Sequence, residues 1–203
     1  MKQNPYCGKF IIFEGLDGSG QSTQARLLEE YFKKQDRKVL LTKEPTIRSR
    51  AGKKIKAVLE EKIKIDPLEL QKLFIKDRAE HLRKKIIPAL KSGKIVICDR
   101  YFFSTLAFGG LNVPMEKLIA LNEKFIYPDI IFFLKVRPEE CLRRINKRGE
   151  GIKFFEKIDK MRKALKNYQK AIKLFKNVLV INGEKPIKEI HQKIISSLKT
   201  RKI

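Results

Sequence analysis

Three things are scarce in this 203-residue chain: cysteine, acidic charge and long apolar runs. The three cysteines (Cys7, Cys98 and Cys141) are odd in number and show no CxxC spacing. That pattern speaks against a disulfide framework and against thiolate metal ligation, and for a reducing, cytoplasmic setting. No apolar stretch approaches the ~18 residues of a membrane span, and the opening MKQNPYCGKFIIFEG is too briefly apolar for a signal peptide. No internal repeat or low-complexity linker appears. With 42% hydrophobic and 34% charged residues, the chain is neither disordered nor collagen-like. Its length suits one domain spanning residues 1–203. Lys and Arg number 47 against 23 Asp and Glu, a net charge of +24, and the pI is near 10.0. Such a surface favours anions without choosing among nucleotide phosphates, nucleic acid and acidic lipid. The charge is spread along the chain, as on solvated helix faces, and forms no basic tail.

What is present is alternation. Phe10-Ile11-Ile12-Phe13, Val39-Leu40-Leu41, Ile95-Val96-Ile97-Cys98, the run from Ile130 to Leu134 and Val178-Leu179-Val180-Ile181 read as strands. They lack polar alternation, which predicts a parallel sheet covered on both faces. Helical patterns run over roughly 20–35, 51–60, 66–90, 115–127, 138–148, 156–176 and 186–200. The last carries a stripe of Ile187, Ile190, Ile194, Ile195 and Leu198. Asp66-Pro67 and Arg137-Pro138 predict helix starts. The expected fold is α/β, a five-stranded parallel sheet with helices on both faces, binding its ligand beyond the carboxyl ends of the strands.

After the first strand comes EGLDGSGQST. Against GxxxxGK[ST] it matches Gly15, Gly20 and Ser22 but carries Gln21 where lysine belongs. Glycines let successive backbone N–H groups converge on phosphate oxygens at the positive end of a helix. Residues 15–23, namely Gly15, Leu16, Asp17, Gly18, Ser19, Gly20, Gln21, Ser22 and Thr23, are therefore the candidate nucleotide-binding loop. Ser22 would offer its hydroxyl to Mg²⁺. A plain glycine turn is the alternative. Gln21 can donate a hydrogen bond but brings no charge, and loss of one oriented donor typically costs on the order of 10²–10³ in rate.

Further motifs follow in order: TKEPT (Thr42 to Thr46), LFIKDRAEH (Leu73 to His81) and CDRYFFSTLAF (Cys98 to Phe108). With the phosphate loop they make the sequence resemble the thymidylate kinase family of P-loop nucleoside monophosphate kinases over nearly its whole length. The resemblance implies a P-loop NTPase-like fold with a short lid near residues 143–156, ATP and Mg²⁺ as cofactors, and transfer of phosphate from ATP to dTMP. It implies that Phe74 stacks on thymine while Arg78 donates to the 4-keto oxygen. Asp99 would stand near the Mg²⁺ shell beside Ser22, and Arg100 would clamp the acceptor phosphate. Phe108 would lie against the sugar and Asp17 near its 3′ hydroxyl. Each also has a bland alternative: a core phenylalanine beside a solvated arginine, a structural Asp–Arg pair, a core aromatic, a loop-capping aspartate.

The cation missing at Gln21 is expected from the lid, where Arg144 and Arg148 are four residues apart and Lys153 is a third candidate. A solvated basic helix face is the alternative. Arg48 or Arg50 would help to hold the acceptor phosphate, and Asn182-Gly183 would approach adenine. A homodimer is implied by the resemblance alone; no specific nucleic acid and no membrane are expected as partners. A degenerate relative that binds nucleotides without useful turnover is the second hypothesis, motivated by Gln21. A nucleic-acid-binding protein, suggested only by the charge, is the third.

Overall fold

The computed structural model describes residues 1–147, 154–201 and 203. A first half runs β1 (Lys2–Gln3), β2 (Phe10–Gly15), α1 (Gln21–Lys33), β3 (Val39–Lys43), α2 (Arg50–Leu59), α3 (Pro67–His81), α4 (Ile87–Lys91) and β4 (Ile95–Asp99). The second continues with α5 (Phe102–Ser104), α6 (Met115–Asn122), β5 (Ile126–Tyr127), β6 (Ile130–Lys135), α7 (Pro138–Asn146), α8 (Phe154–Leu174), β7 (Val178–Asn182) and α9 (Ile187–Thr200). The main sheet has the order β3-β4-β2-β6-β7, all parallel. The five predicted strands are its five members.

Alternation along each central strand divides the core. Ile11, Phe13, Ile97 and Phe132 face α1 and α9, where Leu28, Phe32, Ile190, Ile194 and Leu198 meet them. Ile12, Val96, Cys98, Ile131 and Phe133 face the other way, onto Ile75 of α3 and Met161, Ala164 and Tyr168 of α8. Each such aliphatic side chain contributes about 1.5–3 kcal/mol by leaving water. The edge strands β3 and β7 are only half buried. The stripe on α9 is narrower than its spacing suggests, since Ile187 is exposed.

Two helix starts are built as expected. The Asp66 carboxylate accepts from the Leu68 and Glu69 N–H groups, with Pro67 opening α3, and Pro138 opens α7. The segment predicted as one helix over 66–90 is helical throughout, Pro67 to Lys91, but changes its winding midway. Between α3 and α4 lies a π-helical turn, Leu82–Ile86, in which the Ile87 N–H donates to the Leu82 carbonyl five residues back. Pro88 follows, without an N–H and with a ring that crowds the preceding turn, so a wider turn relieves it. The predicted helix 115–127 ends at Asn122, because Ile126–Tyr127 pairs instead with Lys2–Gln3. Among the described residues no helix is long and apolar enough to cross a membrane.

Strand β2 sits centrally, with β4 on one side and β6 on the other. The chain order reverses there, so a crevice opens beyond the carboxyl ends of β2 and β4. The glycine loop and the Asp99-Arg100-Tyr101 segment both emerge into it.

Candidate active site

The loop after β2 is shaped by its glycines. Gly18 and Gly20 have φ of +83° and +95°, which side chains with a Cβ resist. A Cβ on Gly18 would also stand 2.5 Å from the Cys141 carbonyl oxygen of α7. The chain therefore curls tightly onto the N-terminus of α1, where unpaired N–H groups and the helix dipole favour an anion. Leu16 turns inward to the core and Ser19 is buried, so these two act through the backbone. Gln21 is 5% exposed; its Nε2 donates to the Gly15 carbonyl at 3.4 Å, and its Oε1 is buried without a partner. The side chain at the lysine position is thus folded onto its own loop.

Beside the loop, Ser22 Oγ donates to Asp99 Oδ2. Lys43 Nζ lies 3.3 Å from the same oxygen, and Asp99 Oδ1 is buried with no partner. A buried carboxylate oxygen left unpaired is costly, so this corner is built for a cation. The oxygen-only set fits Mg²⁺, which takes one or two protein oxygens and completes its shell with water and substrate phosphates. Among the described residues, no cluster of three His, Cys, Asp or Glu side chains is placed to hold a metal. The loop and corner enclose a cavity of about 580 Å³ lined by Asp17, Gly18, Gly20, Gln21, Ser22 and Thr23, with Arg26, Lys43, Arg100 and Ile145.

A second cavity, about 680 Å³, gathers Asp17, Phe74, Arg78, Arg100 and Phe108, five of the side chains expected to hold the acceptor. Arg78 is 2% exposed. Its Nε donates to Glu44 Oε2 at 2.7 Å, Nη1 to Asn122 Oδ1, and Nη2 to Thr105 Oγ1 at 3.2 Å. A guanidinium has five N–H donors, so two are left for a ligand. The Tyr101 ring lies 5.0 Å beneath it. Glu44 also binds His81 Nδ1 at 3.1 Å, which fixes the arginine further. Asp77 ties down the loop after β3 by accepting from the Thr46 N–H at 2.7 Å and from the hydroxyls of Thr46 and Ser49.

The two cavities meet at Asp17 and Arg100. Arg100 Nη2 donates to Asp17 Oδ1 at 2.8 Å, and Nη1 to the Gly15 carbonyl and Ser104 Oγ. Its guanidinium carbon lies 5.5 Å from the centre of the Phe108 ring. Arg100 has φ of +73°, an unusual conformation for a side chain with a Cβ, and it turns the arginine from the strand end into the crevice. Glu14 stabilises this bend. Its fully buried carboxylate accepts from the Tyr101 N–H (2.7 Å), Ser104 Oγ (2.7 Å) and the Tyr168 hydroxyl (2.9 Å). Burial pushes the Glu14 carboxyl above its ordinary pKa, against the opposing pull of Arg100 and these donors.

The remaining expected residues lie elsewhere. Arg144, on α7, pairs with Glu140 at 2.7 Å, donates from Nη1 to the Ser19 carbonyl at 3.5 Å, and lines a neighbouring cavity of about 480 Å³ with Gly20, Thr23 and Gly183. Gly183 approaches the loop from this side. Arg148 and Lys153 lie outside the described residues. Arg48 and Arg50 are exposed. All three cysteines are free, and burial pushes the Cys141 thiol up to about 12. Sequence reasoning passed over Glu14, Glu44, Asp77 and Asn122, whose polar side chains are all buried. It also passed over Gln71, which lines the second cavity packed against Gly109, where a Cβ would come within 2.7 Å of it. The available signal was acidic residues embedded in apolar or motif context, as in FEG and KEP.

The glycine loop curled onto a helix N-terminus, with a serine and an aspartate converging beside it, defines the class: a P-loop nucleotide-binding fold of the kinase type. The thymidylate kinase family pattern matches residues 13–194. A probable thymidylate kinase of Pyrococcus horikoshii is 41% identical over 198 residues, covering 95% of this chain and 96% of that protein. A probable thymidylate kinase of Thermococcus onnurineus is 42% identical, covering 92% and 95%. The thymidylate kinase of Caldicellulosiruptor saccharolyticus is 36% identical, covering 92% and 94%. The chain belongs to the thymidylate kinase family.

Proposed function

We propose that this protein is an ATP:dTMP phosphotransferase, forming dTDP and ADP on the way to dTTP. The observation that carries the reading is the junction of a phosphate-loop cavity with an aromatic, arginine-bearing cavity across one Asp17–Arg100 pair. ATP takes the backbone N–H groups of residues 15–23. The acceptor base stacks on Phe74, and Arg78 gives one of its uncommitted N–H groups to the 4-keto oxygen. Cytosine presents an amino group there and would leave a buried donor unpaired, which makes the discrimination steep. Phe108 packs on the deoxyribose, Asp17 accepts from the 3′ hydroxyl, and Arg100 holds the acceptor phosphate.

An oxygen of that phosphate forms the new bond to the γ-phosphorus as the bond to the ADP oxygen breaks. Its second pKa is about 6, so it is already ionised at neutral pH and needs no general base. Mg²⁺, held by Ser22 and Asp99, would neutralise charge on the β- and γ-phosphate oxygens. Arg144 approaches the nucleotide from α7. The chain works as one catalytic unit of residues 1–203, in the cytoplasm and as a homodimer.

A coupled assay of ADP release tests the reading. The expected result is release that depends on both dTMP and ATP. Background release from protein that still binds dTMP would instead identify a nucleotide-binding relative without catalysis.

A further inference from the structure

We propose that Lys43, at the end of β3, supplies the ammonium group that the phosphate loop lacks at Gln21, meeting the γ-phosphate of the bound triphosphate. The proposal rests on the kinase reading above and extends it to a residue that the loop pattern does not contain.

Gln21 cannot supply this charge. Its amide is drawn onto the Gly15 carbonyl and carries no charge in any orientation. Among the described residues, the cations lining the loop cavity are Arg26, Lys43 and Arg100; Arg144 reaches the loop from the neighbouring cavity, where Glu140 at 2.7 Å and the Ser19 carbonyl at 3.5 Å already engage it. Arg100 is committed to Asp17, Ser104 and the Gly15 carbonyl, and it faces the acceptor cavity as well. Arg26 sits one helical turn beyond Ser22 on α1, is exposed, and has no ion pair among the described residues to aim it.

Lys43 is aimed. The parallel register of β3 and β4 sets it directly beside Asp99. Its Nζ stands 3.3 Å from the oxygen that also receives the Ser22 hydroxyl. The ammonium group thus waits at the corner where phosphate oxygens must arrive. Its tether is loose, since the lysine side chain is 59% exposed while the carboxylate is 5% exposed. Lysine is a compact point charge with three rotatable donors on a flexible stem. It can turn from Asp99 to an anion beside it with little rearrangement. The sheet, not the loop, carries the charge.

The test compares Lys43→Met, Lys43→Arg, Gln21→Lys and the double variant Gln21→Lys/Lys43→Met. Lys43→Met should lower kcat by about 10²–10³-fold, the usual cost of one oriented donor to transferring charge, with the KM for dTMP little changed. Lys43→Arg should retain most of the rate. Gln21→Lys should rescue most of the loss in Lys43→Met. A readout apart from turnover is calorimetric affinity without divalent ions: Lys43→Met should weaken ATP while leaving ADP unaffected. Unaltered kcat in Lys43→Met, equal weakening of ATP and ADP, or a loss confined to the KM for dTMP would each overturn the proposal. A natural protein without dTMP-dependent ADP release would defeat the kinase reading instead, so the two failures are separable.

Discussion

Glu14 shows how much one unadvertised side chain carries. It stands within the strand-to-loop run that announces the nucleotide site, yet its carboxylate serves the opposite wall by holding the bend at Arg100. Because burial raises its pKa, the folded protein holds this proton more tightly than the unfolded chain does. Its favourable contribution is therefore complete below the unfolded value of 4.5 and is lost as pH rises through the raised folded value. Glu14→Gln lacks this titration. Denaturant unfolding between pH 4 and 8 should show the stability of the natural protein falling relative to Glu14→Gln as pH rises. A pH-independent difference would show that the carboxylate is not penalised by burial.

Among the secondary elements, the phosphate loop is the least tolerant. Gly18→Ala adds a Cβ to a positive-φ position and drives it against the Cys141 carbonyl. The left-handed conformation alone costs roughly 1–2 kcal/mol, and the clash displaces either the loop or α7. Nucleotide affinity should fall at least tenfold, while dTMP affinity, read by titration in the absence of ATP, should hold. Equal losses of both would mean that the loop and the acceptor cavity are not separable. The three central strands were legible because burial on both faces strips them of polar residues, the half-buried edge strands β3 and β7 because they keep aliphatic runs of the same kind, and the glycine loop because its backbone demands specific residues. The ribbon of β1 and β5 was not, since two-residue strands leave no periodicity. Nor was the π turn before Pro88, where a local steric conflict is resolved without breaking the helix. Of the site, Phe74, Arg78 and Arg100 were legible as motif members. Lys43 stands in the TKEPT motif, but its place beside Asp99 was not legible, because it comes only from the cross-strand register of β3 and β4.

For the molecule as a whole, a net charge of +24 surrounds cavities meant for anions. Such a field speeds the encounter with phosphorylated ligands and is screened over about 8 Å at physiological salt. In stopped-flow measurements, the association rate of dTMP should fall steeply between low and physiological ionic strength, with its dissociation rate nearly constant. Unphosphorylated thymidine should associate at a rate insensitive to salt. A salt-independent rate for dTMP would mean that the charge is too evenly spread to guide it. Finally, Asp17 and Arg100 border both cavities, so the two are divided by little more than one ion pair. A single tethered molecule, a thymidine and an adenosine joined through a chain of phosphates, could straddle that threshold and occupy both chambers at once. The length of chain at which its grip is strongest would measure, like a ruler, the path the phosphoryl group travels.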